Sequence, residues 1–151
     1  MKLKGVKLEH LDNVAAAILD SLSNSKDGKL IHLHGDLGAG KTTLVKSIAK
    51  VLGIKSSVQS PTFVFMREYD ADHKVIKKLY HIDAYRFENK DEGNMLGLDK
   101  IQNKNTLTII EWPEKMHAGD PDIVLTLKHK NENERDIDVK HITKKTDAKQ
   151  K

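Results

Sequence analysis

The sequence contains no cysteine, which excludes a disulfide framework, a thiolate metal site and a cysteine nucleophile. No apolar run approaches the length of a membrane span, and the first residues lack the apolar stretch of a signal peptide. Arginine is scarce and occurs only at Arg67, Arg86 and Arg135. From these absences we expect a soluble, cytoplasmic protein without a membrane partner.

The chain length predicts a single domain. With 151 residues the chain can bury a substantial core, but it is too short for two domains of ordinary size. The net charge of +4 comes from lysine rather than arginine, and much of the excess lies near the C-terminus. We predict one domain over residues 1–142 and a lysine-rich, disordered tail over residues 143–151. The alternative for the tail is an arm that contacts RNA.

One stretch fits the phosphate-binding pattern G-x-x-x-x-G-K-[ST], with Gly35, Gly40, Lys41 and Thr42 at its fixed positions. Glycine backbone can take positive φ, so such a loop can wrap its N–H groups around a phosphate at the start of a helix. Lys41 supplies charge to the β and γ phosphates, and the Thr42 hydroxyl is placed to hold Mg²⁺. We therefore predict a nucleoside triphosphate site. This stretch, called the glycine loop below, consists of Gly35, Asp36, Leu37, Gly38, Ala39, Gly40, Lys41, Thr42 and Thr43.

A strand and a helix flank the glycine loop in the order that the motif requires. Residues 29–34 have the apolar side chains of a buried strand, residues 43–52 have helical apolar spacing, and Gly53 ends the helix. Ahead of this unit, apolar residues three and four positions apart predict an amphipathic helix over residues 8–24, closed by turn residues 24–28.

Strand signals dominate the middle of the chain. Residues 63–69 and 75–82 predict an antiparallel hairpin with its turn at residues 70–73. A polar and then apolar segment over residues 89–98 predicts a short helix that stops near Gly97.

The remaining strands complete the predicted fold. A buried strand over residues 106–111 cannot continue past Pro113, and residues 122–130 and 135–142 alternate like a terminal antiparallel pair. We predict an α/β protein of the P-loop NTPase-like class. It is a three-layer sandwich whose mixed sheet has a parallel core extended by antiparallel hairpins.

Hydrolysis needs an acid near Mg²⁺ and a group that orients the attacking water. Glu111 and Asp83 each end an apolar strand-like run, and either could take one of these roles. The sequence leaves open which acid binds the metal and which positions water. Thr62, in the Ser-Pro-Thr loop before the hairpin, is a candidate sensor of the γ-phosphate.

Further residues bear on the nucleotide and the metal. Trp112, the single tryptophan, is either a core anchor or a wall of the nucleotide pocket. The histidines show no metal-ligand spacing, and we expect His32, His34 and His81 to support other residues. Residues 103–106 lack the acid of a guanine-selecting Asn/Thr-Lys-x-Asp loop, so adenine is the default base.

Four motifs follow one another at intervals that resemble the ordered signature of the bacterial TsaE family, also called YjeE. The resemblance covers roughly residues 30–127. It implies an ATPase that uses ATP and Mg²⁺, is required for threonylcarbamoyladenosine in tRNA, and acts with the proteins TsaB and TsaD. The resemblance implies only an indirect relation to tRNA. The motifs are the glycine loop, Ser60-Pro61-Thr62-Phe63, His81-Ile82-Asp83-Ala84-Tyr85-Arg86 and Ile110-Glu111-Trp112-Pro113.

The resemblance also implies roles for individual residues. ATP phosphates would lie on residues 38–43, and Mg²⁺ on Thr42 and Glu111. Trp112 would lie beside the nucleotide, and Arg135 would reach the nucleotide or a partner. The implied catalytic residues are Lys41, Thr62, Asp83 and Glu111. The family often has a threonine in the first helix where this chain has Glu9-His10-Leu11-Asp12, so the resemblance does not extend to an adenine contact from that helix.

Two other functions fit part of the pattern. A small-molecule kinase could use the same loop to pass the γ-phosphate to an acceptor, but such kinases commonly close an arginine-bearing lid, and this chain has few arginines and no lid-like insertion. A non-catalytic module could use ATP only to switch an interface through the Thr62 loop. The presence of Lys41 and both strand-end acids favours turnover.

Overall fold

The computed structural model describes residues 1–22 and 28–142. The end of the predicted first helix, most of its closing turn and the predicted tail lie outside the described residues. Three 3-10 segments cover Leu8–His10, Lys90–Leu96 and Pro113–Lys115. The helices are α1 (Leu11–Ser21), α2 (Lys41–Val51) and α3 (Leu98–Ile101). The strands are β1 (Lys2–Lys7), β2 (Lys29–His34), β3 (Met66–Asp70), β4 (Lys78–Asp83), β5 (Thr106–Glu111), β6 (Ile123–His129) and β7 (Glu134–His141).

Seven strands form one mixed sheet in the order β1-β7-β6-β2-β5-β4-β3. The four central strands, β6, β2, β5 and β4, run parallel to one another. Strand β3 adds an antiparallel edge on one side, and β7 and β1 add antiparallel strands on the other. The predicted α/β class with a parallel core and antiparallel hairpins is confirmed.

Each face of the sheet carries its own core. On one face, α1 and α2 pack on alternate strand residues such as Ile31, Leu33 and Ile109. On the other face, short 3-10 and α3 segments cover a smaller cluster that includes Ile82 and Ile110. Because successive strand residues point to opposite faces, Ile109 and Ile110 belong to different cores. The third layer of the sandwich is therefore made of short segments rather than long helices.

The order of strands places the predicted functional segments at one end of the sheet. Parallel neighbours have their carboxyl ends on the same side, and β2, β4 and β5 are such neighbours. The glycine loop follows β2, and β4 and β5 end at Asp83 and Glu111. Strand β6 lies parallel beside β2 and brings the turn before β7 to that end. Among the described residues, no helix combines the length and apolar character that crossing a membrane requires.

Several predicted element boundaries were wrong. The strand predicted over residues 63–69 begins only at Met66, since Phe63 is exposed and Phe65 has a φ of 68°. Its partner begins at Lys78, so the predicted four-residue turn is a longer connection. The predicted stop near Gly97 agrees with the structure, where a 3-10 segment ends before Gly97, whose φ is 63°, and α3 follows as a separate helix.

The first strand was missed altogether. Strand β1 alternates polar and apolar residues over Lys2, Leu3 and Lys4, as a strand does. This pattern is short, because Gly5 follows it. It is ordered by pairing with β7, where Leu3 lies opposite Ile137. Pairing between the two ends of the domain has no local signal in the sequence. The amphipathic helix was predicted correctly in kind, but its first turn is the 3-10 segment Leu8–His10, and it ends at Ser21 rather than at residue 24.

Candidate functional site

The glycine loop leaves β2 and enters α2 through Gly40, which has a φ of 98°. The first helical bond at this end runs from the Leu44 N–H to the Gly40 carbonyl, at 3.0 Å. The N–H groups of Lys41, Thr42 and Thr43 precede that bond, so the helix itself offers them no acceptor. This end of α2 therefore presents N–H donors and the positive end of the helix dipole to the loop.

Lys41 is held inside the loop, with only 6% of its side chain exposed. Its Nζ donates to the Gly35 carbonyl at 2.6 Å and lies 4.2 Å from the centre of the Trp112 ring. It is also 4.0 Å from Glu111 Oε1. Burial lowers the pKa of the Lys41 ammonium, while the carboxylates of Glu111 and Asp83 oppose that shift. Among the described residues, the Lys41 ammonium therefore faces carboxylates but has none within hydrogen-bond distance.

The two strand-end acids are neighbours in the sheet, because Asp83 pairs with Glu111 in the parallel register of β4 and β5. Both carboxylates are buried. Glu111 Oε2 lies 2.5 Å from His81 Nε2, and the His81 ring is fully buried. Among the described residues, none is a hydrogen-bond partner of His81 Nδ1. The contact of the His81 imidazole is thus with the carboxylate of Glu111.

Asp83 holds the loop that contains Thr62. The Thr62 hydroxyl donates to Asp83 Oδ2 at 2.9 Å, and the Tyr85 N–H donates to Asp83 Oδ1 at the same distance. The hydroxyl of Ser60 lies 2.7 Å from that of Thr62. Both oxygens of Asp83 therefore accept a hydrogen bond from a loop residue.

Sequence reasoning did not single out Ser60, whereas it expected His81 to support other residues. Ser60 lines the cleft beside Thr62, and His81 contacts Glu111. The spacing of His81 and Asp83 held a signal, since residues two apart on a strand point to the same face. Ser60 belongs to the same motif as Thr62, but its sequence position alone does not distinguish it from an ordinary loop serine.

Trp112 turns the chain where β5 ends. Its φ of 57° is uncommon for a residue with a side chain, and Pro113 follows it at the start of a 3-10 turn. The Trp112 ring packs against the Tyr85 ring, with ring centres 5.0 Å apart. It also contacts the Lys41 ammonium. The position agrees with both predicted roles, since Trp112 lines the cleft and also packs against the smaller core cluster.

Arg135, at the start of β7, also reaches the cleft. Its Nε donates to the Ala39 carbonyl of the glycine loop at 2.9 Å. Its Nη1 donates to the carbonyls of Asn131 and Glu134. A contact of Arg135 with a nucleotide or a partner stays a prediction.

These groups surround one cleft of about 340 Å³. Cationic and N–H donors lie on the side of α2, and the carboxylates lie on the side of β4 and β5. Of the predicted site residues, Gly35, Asp36 and Ala39 belong to the loop but do not line the cleft. The lining residues are Leu37, Gly38, Gly40, Lys41, Thr42, Thr43, Ser60, Thr62, Asp83, Glu111, Trp112 and Arg135.

The sheet and the cleft define the class of protein. A glycine loop between β2 and α2, at the carboxyl end of a parallel sheet core, is the arrangement of a P-loop NTPase-like α/β fold. The chain belongs to the TsaE family, since the family model described as threonylcarbamoyl adenosine biosynthesis protein TsaE matches residues 7–137. The resemblance found in the sequence motifs is thus confirmed.

Individual proteins support this assignment. The chain is 38% identical over 115 residues to the tRNA threonylcarbamoyladenosine biosynthesis protein TsaE of Bacillus subtilis. The matched region covers 75% of this chain and 70% of that protein. The chain is 36% identical over 137 residues to the protein of the same name from Aquifex aeolicus, covering 89% and 94%. The crystal structure of Bacillus subtilis YdiB superposes with a TM-score of 0.67 at 29% identity, covering 95% of this chain and 86% of that one.

Proposed function

We propose that this protein is an ATPase that binds and hydrolyses Mg·ATP in the biosynthesis of threonylcarbamoyladenosine in tRNA, where it drives or resets a complex of TsaB and TsaD. The observation that carries the proposal is the convergence of Lys41, Asp83 and Glu111 in one cleft at the glycine loop. Membership of the TsaE family supplies the pathway.

The donor groups of the cleft fit a chain of phosphates. The N–H groups at the start of α2 have no helical acceptor, and the Lys41 ammonium is bound to a neutral carbonyl. A phosphate oxygen is a stronger, charge-assisted acceptor than a carbonyl. Burial lowers the pKa of Lys41, and an anion bound here would favour the charged form of its side chain. These groups suit the β and γ phosphates of ATP.

The oxygen groups of the cleft fit a magnesium ion and a water molecule. The Thr42 hydroxyl and the Glu111 carboxylate line the same cleft, and such oxygen ligands suit Mg²⁺. Bound Mg²⁺ would neutralise charge on the phosphates. Asp83 accepts hydrogen bonds from Thr62 and the Tyr85 N–H, so its carboxylate is oriented toward the Thr62 loop. We assign Glu111 to the metal and Asp83, with Thr62, to the attacking water.

The surface around the cleft suits a protein partner. Leu37 on the glycine loop and Phe63 beside Thr62 are 68% and 81% exposed. Exposed large apolar side chains on loops are candidates for contact with a protein partner. Because they stand on the loops that would contact the nucleotide, partner binding would respond to ATP. This supports an ATPase whose turnover depends on TsaB and TsaD, with tRNA reached through them.

The test measures phosphate release from Mg·ATP by the purified protein, alone and with TsaB and TsaD. We expect slow release alone and faster release with the partners. The variants Lys41→Ala and Glu111→Gln should abolish release, because the first removes the phosphate-facing charge and the second the proposed metal carboxylate. Matched controls are Lys46→Ala, exposed on the same helix, and Glu68→Gln, exposed on β3.

Other results would favour other functions. ATP binding without phosphate release under any condition would eliminate hydrolysis and leave an ATP-dependent switch. Transfer of phosphate to a small molecule in place of water would identify a kinase. Absence of ATP binding would reject the proposal as a whole.

A further inference from the structure

Hydrogen bonds from inside and outside the glycine loop hold it in shape. Inside the loop, the Ala39 N–H donates to the Asp36 carbonyl at 3.0 Å, and Lys41 Nζ donates to the Gly35 carbonyl. Another bond comes from outside the loop, where Arg135 Nε donates to the Ala39 carbonyl at 2.9 Å. Because the Lys41 ammonium has three N–H donors, it can reach a phosphate with or without its bond to Gly35. The bond from Arg135 can persist, since it lies on a different carbonyl.

The guanidinium of Arg135 is itself fixed by its own hairpin. Its Nη1 donates to the Asn131 carbonyl at 2.6 Å and to the Glu134 carbonyl at 2.9 Å. The planar guanidinium makes these bonds and the bond to Ala39 at the same time, which a lysine ammonium at the end of a flexible stem does not reproduce. The turn between β6 and β7 is thereby tied to the glycine loop.

Gly40 permits this close approach. A Cβ at position 40 would lie 3.0 Å from Arg135 Nε, and the φ of 98° disfavours any side chain. The second glycine of the motif therefore has two reasons to be glycine in this chain. One is the turn into α2, and the other is the space that the guanidinium takes.

The bond to Ala39 determines the direction of the next N–H. A peptide unit is planar and trans, so its C=O and its N–H point in opposite directions. When Arg135 holds the Ala39 carbonyl, the Gly40 N–H of the same unit points away from the guanidinium. In a loop that cradles phosphate, the N–H groups must face the anion and the carbonyls must face away from it.

We propose that Arg135 is a positioning residue that orients the Ala39–Gly40 peptide for phosphate binding, and that its charge is not what the site requires. This inference rests on the proposed nucleotide site. It predicts that the shape of the loop, and so the affinity for any nucleotide with an α,β-diphosphate, depends on the guanidinium fork of Arg135.

The experiment measures the dissociation constants of Mg·ATP and Mg·ADP by titration calorimetry. Arg135→Lys keeps the charge and loses the fork, and Arg135→Gln loses both. We expect each variant to bind both nucleotides roughly tenfold more weakly, since charge-assisted hydrogen bonds to the loop are lost. Arg86→Lys is the matched control, because Arg86 lies over the exposed Phe63 ring and does not line the cleft.

The outcomes separate this inference from the proposed function. If Arg135→Lys has dissociation constants within twofold of the wild-type values, the positioning role is overturned. It is also overturned if the variant binds ATP more weakly but ADP equally well, because that result identifies a charge contact to the γ-phosphate. If the wild type binds neither nucleotide, the proposed function fails first. Amide NMR of the free protein gives a second readout. The Gly40 N–H signal should move in Arg135→Lys while those of Leu125 and Ile109 stay, and an unmoved Gly40 signal overturns the proposal.

Discussion

At the scale of single residues, the contact between His81 and Glu111 determines how a buried carboxylate is presented. His81 Nε2 takes one oxygen of Glu111, and the other oxygen faces Lys41 at 4.0 Å. Metal-binding carboxylates are commonly held by a hydrogen bond of this kind, and its loss typically costs 10–100-fold in metal affinity or activity. The other ring nitrogen, Nδ1, has no partner within the part of the chain that the structure describes.

We therefore predict that His81→Leu lowers Mg²⁺-dependent phosphate release on the order of tenfold or more, and raises the Mg²⁺ concentration required. His81→Gln, whose amide can donate from a similar place, should restore part of the loss. Phosphate release across a magnesium titration measures both effects. His129→Leu, exposed at the end of β6, is the control. Equal magnesium dependence in His81→Leu and the wild type would contradict this role.

At the scale of elements, the connection between β3 and β4 depends on a neutral histidine. His73 Nδ1 accepts from the N–H groups of Val75 and Ile76, at 3.2 and 3.1 Å. Burial lowers the pKa of His73 below its ordinary 6.5, and the charges of Lys74 and Lys77 add to the shift. A protonated Nδ1 cannot accept these bonds. The connection is therefore built for the uncharged imidazole.

The sign of the pH effect follows from this shift. Because the folded pKa is lowered, the unfolded chain binds the proton more tightly, and stability is lost as pH falls from 6.5 through the folded pKa. We expect the free energy of unfolding to fall more in the wild type than in His73→Asn between about pH 7.5 and about pH 5. Asparagine keeps an acceptor and does not titrate. Parallel urea titrations measure the difference, and identical pH profiles would refute it.

At the scale of the whole molecule, one sheet joins two cores. Ile109 and Ile110 are consecutive, both fully buried, and belong to opposite clusters. We predict that Ile109→Ala and Ile110→Ala each lower the free energy of unfolding by about 2–5 kcal/mol, because each leaves a cavity beside the central strands. Urea unfolding should show one cooperative transition in both variants.

The control for this prediction is Val64→Ala, because Val64 is about half exposed and its change should cost little. A first transition that involves only the smaller cluster in Ile110→Ala would show that the two faces unfold independently. That result would contradict a single cooperative domain.

The sequence by itself determined the features that local patterns encode. The glycine loop, the flanking strand and helix, and the acids at Asp83 and Glu111 follow from motif spacing and from periods of two and 3.6 residues. The fold class follows from the order of these elements. The wrong strand boundaries lie between Thr62 and Lys78, where exposed apolar residues such as Phe63 and Val64 resemble those of a strand.

Only the tertiary structure decided which distant residues meet. Arg135 and Ala39 are 96 positions apart, and their bond exists because β6 lies beside β2 and carries the last hairpin to the loop. Strand β1 is ordered by β7 for a similar reason. His81 reaches Glu111 because the parallel register sets β4 beside β5. Such contacts depend on the packing of the whole sheet, to which a local sequence pattern contributes no signal.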